Sequence, residues 1–235
     1  MSNIICRELS LGYDGVTVCE HLNFKVNSGD YLCIVGDNGS GKSTLMKALL
    51  GLKTPDSGEI EWDGEPHLRG IGYLPQQSEH QRDFPATAME VVLSGCVGDL
   101  GASPFFGKRH RARARENMKK LGISELGAKS YSSLSGGQQQ RFLLARALCA
   151  AKDTILLDEP VSGLDPVSTS EMYRLIKKLN SESGMTVIMI THDIGAAIRY
   201  ADSVLYMGEH PEFFPTVAEY RQSKVFPADG EVRDE

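Results

Sequence analysis

The stretch Gly36-Asp37-Asn38-Gly39-Ser40-Gly41-Lys42-Ser43-Thr44 is the part of this sequence that decides its fold. The apolar run Tyr31–Val35 before it predicts a buried strand, and residues 45–50 after it predict a helix that Gly51 closes. A glycine-rich loop between a strand and a helix lets successive backbone N–H groups surround an anion, and the helix N-terminus adds a partial positive charge. In such a loop Lys42 reaches the β- and γ-phosphates and the Ser43 hydroxyl ligates Mg²⁺. The stretch therefore predicts a nucleotide site, and the alternative is a chance glycine turn before a core helix.

The composition is that of an ordinary globular protein of 235 residues, with 41% hydrophobic and 24% charged residues. The formal net charge of −6 argues against nucleic acid as a partner, because nucleic-acid binding uses a basic surface. No apolar run is long enough to cross a bilayer, and the N-terminus lacks a signal-peptide pattern, so we expect a soluble cytoplasmic protein. The five scattered cysteines form no C-x-x-C pair and predict buried, reduced thiols. The six histidines show no metal-ligand spacing.

Strands and helices alternate in the second half of the chain. Apolar runs that predict strands lie at residues 154–157, 186–190 and 204–207. Residues 166–180 and 194–200 predict helices between them, and this alternation is typical of an α/β fold with a parallel, helix-covered sheet. The earlier runs at residues 4–11 and 21–26 alternate in part, which predicts antiparallel strands. Residues 59–62 and 70–74 predict a further β segment.

The region between about residues 77 and 150 is mainly helical, so we interpret it as an insertion between strands of one domain spanning residues 1–226. Residues 227–235 are charged and predict a frayed tail. Within the insertion, residues 108–121 carry eight Lys, Arg or His side chains. A basic helix face of this kind is usually solvated. The alternative is contact with lipid headgroups or with cytoplasmic loops of a membrane partner.

Two carboxylates, Asp158 and Glu159, follow the apolar run at residues 155–157. Ligands of parallel sheets lie at the carboxyl ends of the strands, so we expect Asp158 beside the phosphate loop, holding Mg²⁺ through water. Glu159 then lies in place to polarise an attacking water as general base. Alone the pair could be a helix cap, but downstream of a phosphate loop it indicates nucleotide hydrolysis.

A second glycine-containing stretch, Leu134-Ser135-Gly136-Gly137-Gln138, precedes a predicted helix. Ser135 can act simply as the N-cap of that helix. The same helix start can also bind an anion, because its N–H groups and its dipole face outward. One chain thus has two stretches that can bind phosphate, which suggests that the second one contacts a nucleotide bound elsewhere.

These motifs, in this order, resemble the ATP-binding subunits of ABC transporters over about residues 3–222. The matching positions are Tyr13 (the aromatic that stacks on adenine), residues 36–44 (Walker A), Gln76 (Q-loop), residues 134–138 (signature), Asp158 and Glu159 (Walker B and catalytic glutamate), residues 162–165 (D-loop) and His192 (switch histidine). The resemblance implies a P-loop ABC ATPase with a parallel core sheet, an antiparallel β subdomain and an inserted helical subdomain. ATP and Mg²⁺ are the implied cofactors.

The resemblance also assigns roles to residues, within a head-to-tail homodimer that holds two ATP molecules between its subunits. The implied catalytic residues are Glu159, His192, Gln76 and Lys42. The implied nucleotide contacts are Tyr13, Gly36, Asn38, Gly39, Ser40, Gly41, Lys42, Ser43, Thr44, Ser135, Gly136, Gly137, Gln138 and Asp165. The implied Mg²⁺ ligands are Ser43, Gln76 and Asp158. In the dimer each nucleotide lies on one subunit's phosphate loop and under the other subunit's signature.

Several classes of protein share this ATPase. The DNA-repair class carries a long coiled coil between Q-loop and signature, whereas 57 residues separate Gln76 from Leu134 here. The translation class joins two cassettes, and this chain has one. Both facts favour a transporter subunit at the cytoplasmic face of the membrane, with permease subunits as partners and an extracytoplasmic substrate-binding protein as an indirect one. The 43 residues after His192 are too few for the regulatory domain of some sugar or methionine importers, so we expect none.

The cargo is indicated by looser similarities to the importer branch for zinc and manganese. These similarities lie at residues 83–87, 90–95, 136–141 and 208–211. Iron-chelate importers share part of the pattern, so an iron chelate stays open as the cargo. An exporter and, less favoured, a soluble ABC ATPase outside transport also remain alternatives.

Overall fold

The computed structural model describes residues 3–13, 16–62, 70–76, 85–101 and 103–227. The chain separates into two compact units. The phosphate-loop unit comprises Met1–Leu68 with Leu179–Glu235, and the signature unit comprises Arg69–Lys178. Within the described ranges, no helix is both long and apolar enough to cross a membrane.

The elements follow one another as a β-rich start, a helical middle and an alternating end. The strands are β1 (Ile4–Tyr13), β2 (Val16–Val26), β3 (Tyr31–Val35), β4 (Ser57–Trp62), β5 (Ile71–Leu74), β6 (Thr154–Asp158), β7 (Thr186–Ile190), β8 (Ser203–Tyr206) and β9 (Glu212–Phe214). The helices are α1 (Lys42–Leu49), α2 (Ala88–Ser94), α3 (Lys108–Lys120), α4 (Gly136–Ala150), α5 (Pro166–Ser183), α6 (Ile194–Tyr200) and α7 (Val217–Gln222).

In the phosphate-loop unit, β3 is the middle of a parallel set. It pairs with β7 on one side and with β8 on the other, and β9 pairs antiparallel with β8. Every residue of β3 and of β7 is buried. Strands that are buried on both faces are apolar along their whole length, which is why their bounds matched the sequence prediction. The carboxyl ends of β3 and β7 therefore form one edge, from which the phosphate loop leaves.

The same unit contains a three-stranded antiparallel sheet in the order β2-β1-β4. The prediction of antiparallel strands is confirmed, although β2 begins five residues earlier than predicted. The reason is a register shift in the β1–β2 ladder, where Glu8 and His21 adopt left-handed backbone conformations with φ of 46° and 50°. The Glu8 carboxylate accepts hydrogen bonds from Asn23 Nδ2 at 2.6 Å and pairs with His21 Nδ1 at 2.8 Å. Such irregularities interrupt the alternation on which the prediction depended.

Residues 59–62 and 70–74 were predicted to form one β segment, and this prediction is wrong because the two strands belong to different sheets. Strand β4 pairs with β1, whereas β5 pairs in parallel with β6. Residues 63–64, whose Asp-Gly sequence predicts a turn after the first of these runs, lie outside the described residues. Partner choice between strands depends on tertiary packing, which a local pattern does not contain.

The signature unit contains the helices of the region that was predicted, at about residues 77–150, to be mainly helical. Helices α2, α3 and α4 pack against one another, and α4 packs on β5. Helix α2 begins with a complete capping box between Thr87 and Glu90. Across both units the five cysteines are free and buried, as predicted. Burial raises the pKa of Cys149 to about 12, so this thiol stays protonated.

Candidate functional site

The phosphate loop leaves β3 at Gly36 and enters α1 through Gly41. Both glycines have positive φ, 139° and 93°. A Cβ at Gly36 would lie 1.8 Å from the Met207 carbonyl oxygen, so only glycine fits there. Helix α1 begins at Lys42, three residues before the predicted start, because the polar residues after Gly41 already form its first turn. The loop and the helix N-terminus are thus one continuous structure, as a phosphate site requires.

The side chain of Lys42 folds back over this loop. Its ammonium group donates hydrogen bonds to the carbonyl oxygens of Gly36, at 2.8 Å, and of Asp37, at 2.6 Å. The Ser40 hydroxyl is buried and has no hydrogen-bond partner among the described residues. A buried hydroxyl without a partner carries a free-energy cost that an anionic acceptor would remove. The loop therefore fits the phosphates of a nucleotide.

In the signature unit, the two predicted carboxylates lie at the end of β6. Asp158 is its last residue and is 8% exposed. Glu159 has a left-handed backbone with φ of 48°, which costs a non-glycine residue about 1–2 kcal/mol. The Gln76 side-chain amide donates a hydrogen bond to Glu159 Oε2 at 2.9 Å. The structure thus brings the Q-loop glutamine and the expected base together, on a strained backbone of the kind that clusters at active sites.

Tyr73 is a residue of this site to which the sequence assigned no role. Its hydroxyl donates a hydrogen bond to the Asp158 carboxylate. Burial, followed by the nearby charge of Asp158 and this hydrogen bond, raises the pKa of Tyr73 to about 12. Tyr73 lies opposite Leu156 in the parallel pairing of β5 with β6, and a sequence pattern does not reveal that register. Tyr73 therefore helps to hold the Asp158 carboxylate.

The signature stretch begins α4, and Ser135 is the N-cap. Ser135 Oγ accepts the Gln138 N–H at 3.3 Å, and Gln138 Oε1 accepts the Ser135 N–H at 3.1 Å. This capping box confirms the N-cap interpretation. A Cβ at Gly137 would lie 2.6 Å from Ser168 Oγ, so the first turn of α4 is in close contact with the start of α5. An ion pair between Arg141 and Glu171 joins the same two helices.

Asp165 lies at this contact, immediately before α5. Its Oδ1 accepts the N–H groups of Val167 at 3.1 Å and of Ser168 at 3.0 Å. Hydrogen bonds from Ser168 and then from Val167 lower the pKa of Asp165. Asp165 is thus the cap of α5 as well as the D-loop aspartate that the resemblance implies. The signature and the D-loop are neighbours within the signature unit.

His192 lies in the phosphate-loop unit, in the turn between β7 and α6. Thr191 before it donates its N–H to the Ile34 carbonyl of β3 at 3.1 Å, and Asp193 after it caps α6. This turn therefore lies at the same sheet edge from which the phosphate loop leaves. The role that the resemblance gives to His192, binding of the γ-phosphate, stays a prediction. The side chain of Tyr13, the predicted adenine contact, lies outside the described residues.

The candidate Mg²⁺ ligands, Ser43, Gln76 and Asp158, offer oxygen atoms, which suit this ion. Among the residues that the structure describes, no group of three or more His, Cys, Asp or Glu side chains is placed to hold a metal. Mg²⁺ commonly binds through one or two protein oxygens together with substrate phosphates and water. By their chemistry a hydroxyl, an amide and one carboxylate suit this mode better than an all-protein cage does; Ser43 belongs to the phosphate-loop unit, and Gln76 and Asp158 belong to the signature unit.

Comparisons with known proteins agree with these features. The ABC transporter family model matches residues 19–162. The zinc transport system ATP-binding protein TroB of Treponema pallidum is 39% identical over 203 residues, which cover 85% of this chain and 76% of that protein. The manganese transport system ATP-binding protein MntB of Bacillus subtilis is 36% identical over 202 residues, which cover 85% of this chain and 80% of that protein.

A solved structure is similar over most of the chain as well. It is the dimeric, post-hydrolysis state of the ATP-binding cassette MJ0796 bound to ADP and phosphate, with a TM-score of 0.71 and 28% identity. The similarity covers 89% of this chain and 98% of that one. The family predicted from the motifs and the P-loop ABC ATPase fold are thereby confirmed. The chain belongs to the ABC transporter family and is one of its ATP-binding subunits, an ATPase.

Proposed function

We propose that the chain is the ATP-hydrolysing subunit of a membrane importer for zinc or manganese ions. The observation that carries the proposal is the similarity, over 85% of the chain, to subunits named for zinc and for manganese transport. The looser similarity of residues 85–87 and 90–95 to that importer branch supports the same cargo. Residues 83–84 of the first stretch lie outside the described residues.

ATP binding uses the phosphate loop. The Lys42 ammonium, now against the carbonyls of Gly36 and Asp37, turns to the β- and γ-phosphates, and the Ser40 hydroxyl gains an acceptor. Tyr13 stacks on the adenine. Ser43, Gln76 and Asp158 would hold Mg²⁺, which would neutralise phosphate charge, and the Tyr73 hydroxyl keeps the Asp158 carboxylate oriented.

Hydrolysis uses Glu159 as the general base. A water oxygen attacks the γ-phosphorus, its proton passes to the Glu159 carboxylate, and the bond to the β–γ bridging oxygen breaks to leave ADP and phosphate. The hydrogen bond from Gln76 holds Glu159 Oε2, so a movement of Gln76 changes the position of the base. His192 binds the γ-phosphate from the edge beside the loop.

The working assembly is an ATP-sandwich homodimer on two permease subunits at the cytoplasmic face of the membrane. The signature helix start of one copy covers the nucleotide of the other, and Asp165 communicates across the interface. A dimeric cassette with ADP and phosphate among the similar structures supports this arrangement. A substrate-binding protein outside the membrane delivers the ion. We also propose one ABC domain over residues 1–226, with a helical subdomain at about 77–150 and a tail at 227–235.

The catalytic assignment is tested by Glu159→Gln. We expect ATP turnover to fall by about 10²- to 10⁴-fold while ATP affinity is kept, because the amide cannot take the proton. The variant should also form an ATP-stabilised dimer in sedimentation. Glu125→Gln, at an exposed position, is the matched control and should keep wild-type turnover. Unchanged turnover in Glu159→Gln would remove Glu159 as the base.

The cargo is tested by uptake of zinc, manganese and iron into metal-depleted cells that carry either the wild-type chain or Lys42→Ala. We expect Lys42→Ala to lose uptake of zinc or manganese alone, because this variant cannot engage the phosphates. Lys25→Ala, which changes an exposed lysine of β2, is the control and should keep uptake. Selective loss of iron uptake would move the assignment to iron chelates. Unchanged uptake of all three ions would reject metal import.

A further inference from the structure

Helix α3 carries a stripe of positive charge that the ATPase function does not use. Seven Lys or Arg residues and one Glu lie in this helix, a formal charge of +6 in a chain whose net charge is −6. The cationic stripe consists of four exposed residues, Lys108, Arg111, Arg115 and Lys119. At about 100° per residue, the four lie within an arc of about 80°, along roughly 16 Å of the helix. Among the described residues, no carboxylate forms an ion pair with any of them.

The neighbouring flank of α3 is different, because two of its cations are neutralised. Lys120 pairs with Glu116 at 2.9 Å, and Arg113 pairs with Asp99 at 2.5 Å. The inner face of α3 is buried through Ala114 and Met118, which anchor the helix. The positive charge of α3 that no ion pair among the described residues neutralises is therefore concentrated on the cationic stripe.

An exposed aromatic side chain stands at the beginning of the stripe. Phe105 is 78% exposed, although Phe106 beside it packs edge-to-face on His110. The turn that presents Phe105 is held by Ser103, whose hydroxyl donates to the Phe105 carbonyl at 3.1 Å and accepts the Phe105 N–H at 3.3 Å. Val97, also exposed at 56%, lies on the 3-10 turn Val97–Asp99, and the ion pair between Asp99 and Arg113 joins this turn to α3. The structure thus holds apolar side chains out beside the cations.

We propose that the cationic stripe and Phe105 bind anionic lipid headgroups, with Phe105 entering the interfacial layer. Cations beside an exposed aromatic are the combination that peripheral proteins use on acidic membranes. An acidic protein loop is the competing partner, and it fits less well. A flat charged surface satisfies four cations spread along three turns, whereas a protein loop would need a matching set of carboxylates at the same spacing.

The lipid contact is independent of cargo and of catalysis, because none of its residues belongs to the nucleotide site. It is tested by sedimentation of the full chain with vesicles, without ATP. One set of vesicles contains 30% phosphatidylserine in phosphatidylcholine, and the other contains phosphatidylcholine alone. We expect binding to the acidic vesicles only, with strong weakening at 0.5 M salt.

Two variants and a matched control locate the contact. Each cation that is removed should lower the vesicle partition coefficient about fivefold, so Arg111→Gln/Arg115→Gln should lower it roughly 25-fold. Phe105→Ser should lower the same coefficient about tenfold. Arg109→Gln/Lys120→Gln removes the same charge from the flank of the same helix, and it should lower partitioning less than about threefold. Because all five side chains are exposed, the variants should fold and keep wild-type ATP turnover.

Two results would overturn the proposal. The first is equal weakening by the stripe and flank variants, which would mean that the total positive charge of α3, and not the cationic stripe, attracts the chain. The second is binding of the wild-type chain to a polyglutamate peptide but not to acidic vesicles, which would assign the stripe to an acidic protein partner.

Discussion

Two helix starts in this molecule were predicted to bind phosphate, and the structure builds them in different ways. Helix α1 begins after Gly41, a left-handed residue that has no side chain to accept a hydrogen bond. Helix α4 begins after Ser135, and there a capping box with Gln138 satisfies two N–H groups inside the chain. A phosphate can take the place of the missing cap at α1. At α4 it must share the turn with the cap.

The difference teaches that a glycine-rich helix start is not one kind of site. At α1 the glycines shape the backbone itself, through positive φ and a close approach to Met207. At α4, Gly136 and Gly137 are ordinary helical residues, and Gly137 is small because Ser168 lies against it. The loop at α1 is therefore preorganised for an anion, whereas the start of α4 is organised first for packing on α5. The proposal that the signature serves a nucleotide held by another copy is consistent with this difference.

The largest effect is expected for Gly36→Ala. The new Cβ would lie 1.8 Å from a backbone oxygen at a φ of 139°, so we expect a loss of about 3 kcal/mol or more in the free energy of unfolding. Gly39→Ala is the matched control, because its φ is also positive, at 81°, but no described atom lies within 4 Å of its Cβ. It should cost about 1–2 kcal/mol. Urea unfolding measures both, and equal losses would show that the approach of Met207 is not limiting.

An intermediate effect is expected for Ser135→Ala. Loss of the cap should lower the free energy of unfolding by about 1 kcal/mol, and it should also weaken ATP-dependent dimerisation. Thr87→Ala removes the equivalent capping box of α2 and should cost a similar amount while leaving dimerisation intact. Sedimentation with ATP separates the two variants. If both dimerise as the wild type does, the start of α4 is a cap and not an anion site.

The smallest effect on the free energy of unfolding is expected for Asp165→Asn. Asparagine also caps helices, so this variant replaces a charged cap by a neutral one. The folded-state pKa of Asp165 is lowered, so its charge stabilises the fold above the unfolded-state pKa of about 3.9. That contribution is lost as the pH falls through the lowered pKa of the folded state. Wild type should therefore be more stable than Asp165→Asn at pH 6, with the difference disappearing towards pH 2. A difference that is constant with pH would contradict this origin.

Much of the fold could be predicted because burial leaves a strong pattern. The apolar runs at Tyr31–Val35 and Thr186–Ile190 gave correct strand bounds, since those strands are covered on both faces. The bounds of α6 were also correct, because Asp193 caps that helix. The start of α1 was wrong by three residues, because Lys42, Ser43 and Thr44 are polar and resemble loop residues.

The sequence by itself determined the family, the phosphate loop and the identity of the candidate base, because each depends on residue types at fixed spacing along the chain. Tertiary structure alone decided the left-handed backbone of Glu159, its hydrogen bond from Gln76 and the hold of Tyr73 on Asp158. These contacts join residues more than 80 positions apart. They depend on strand register and on strain that the surrounding packing enforces, and neither leaves a local pattern in the sequence.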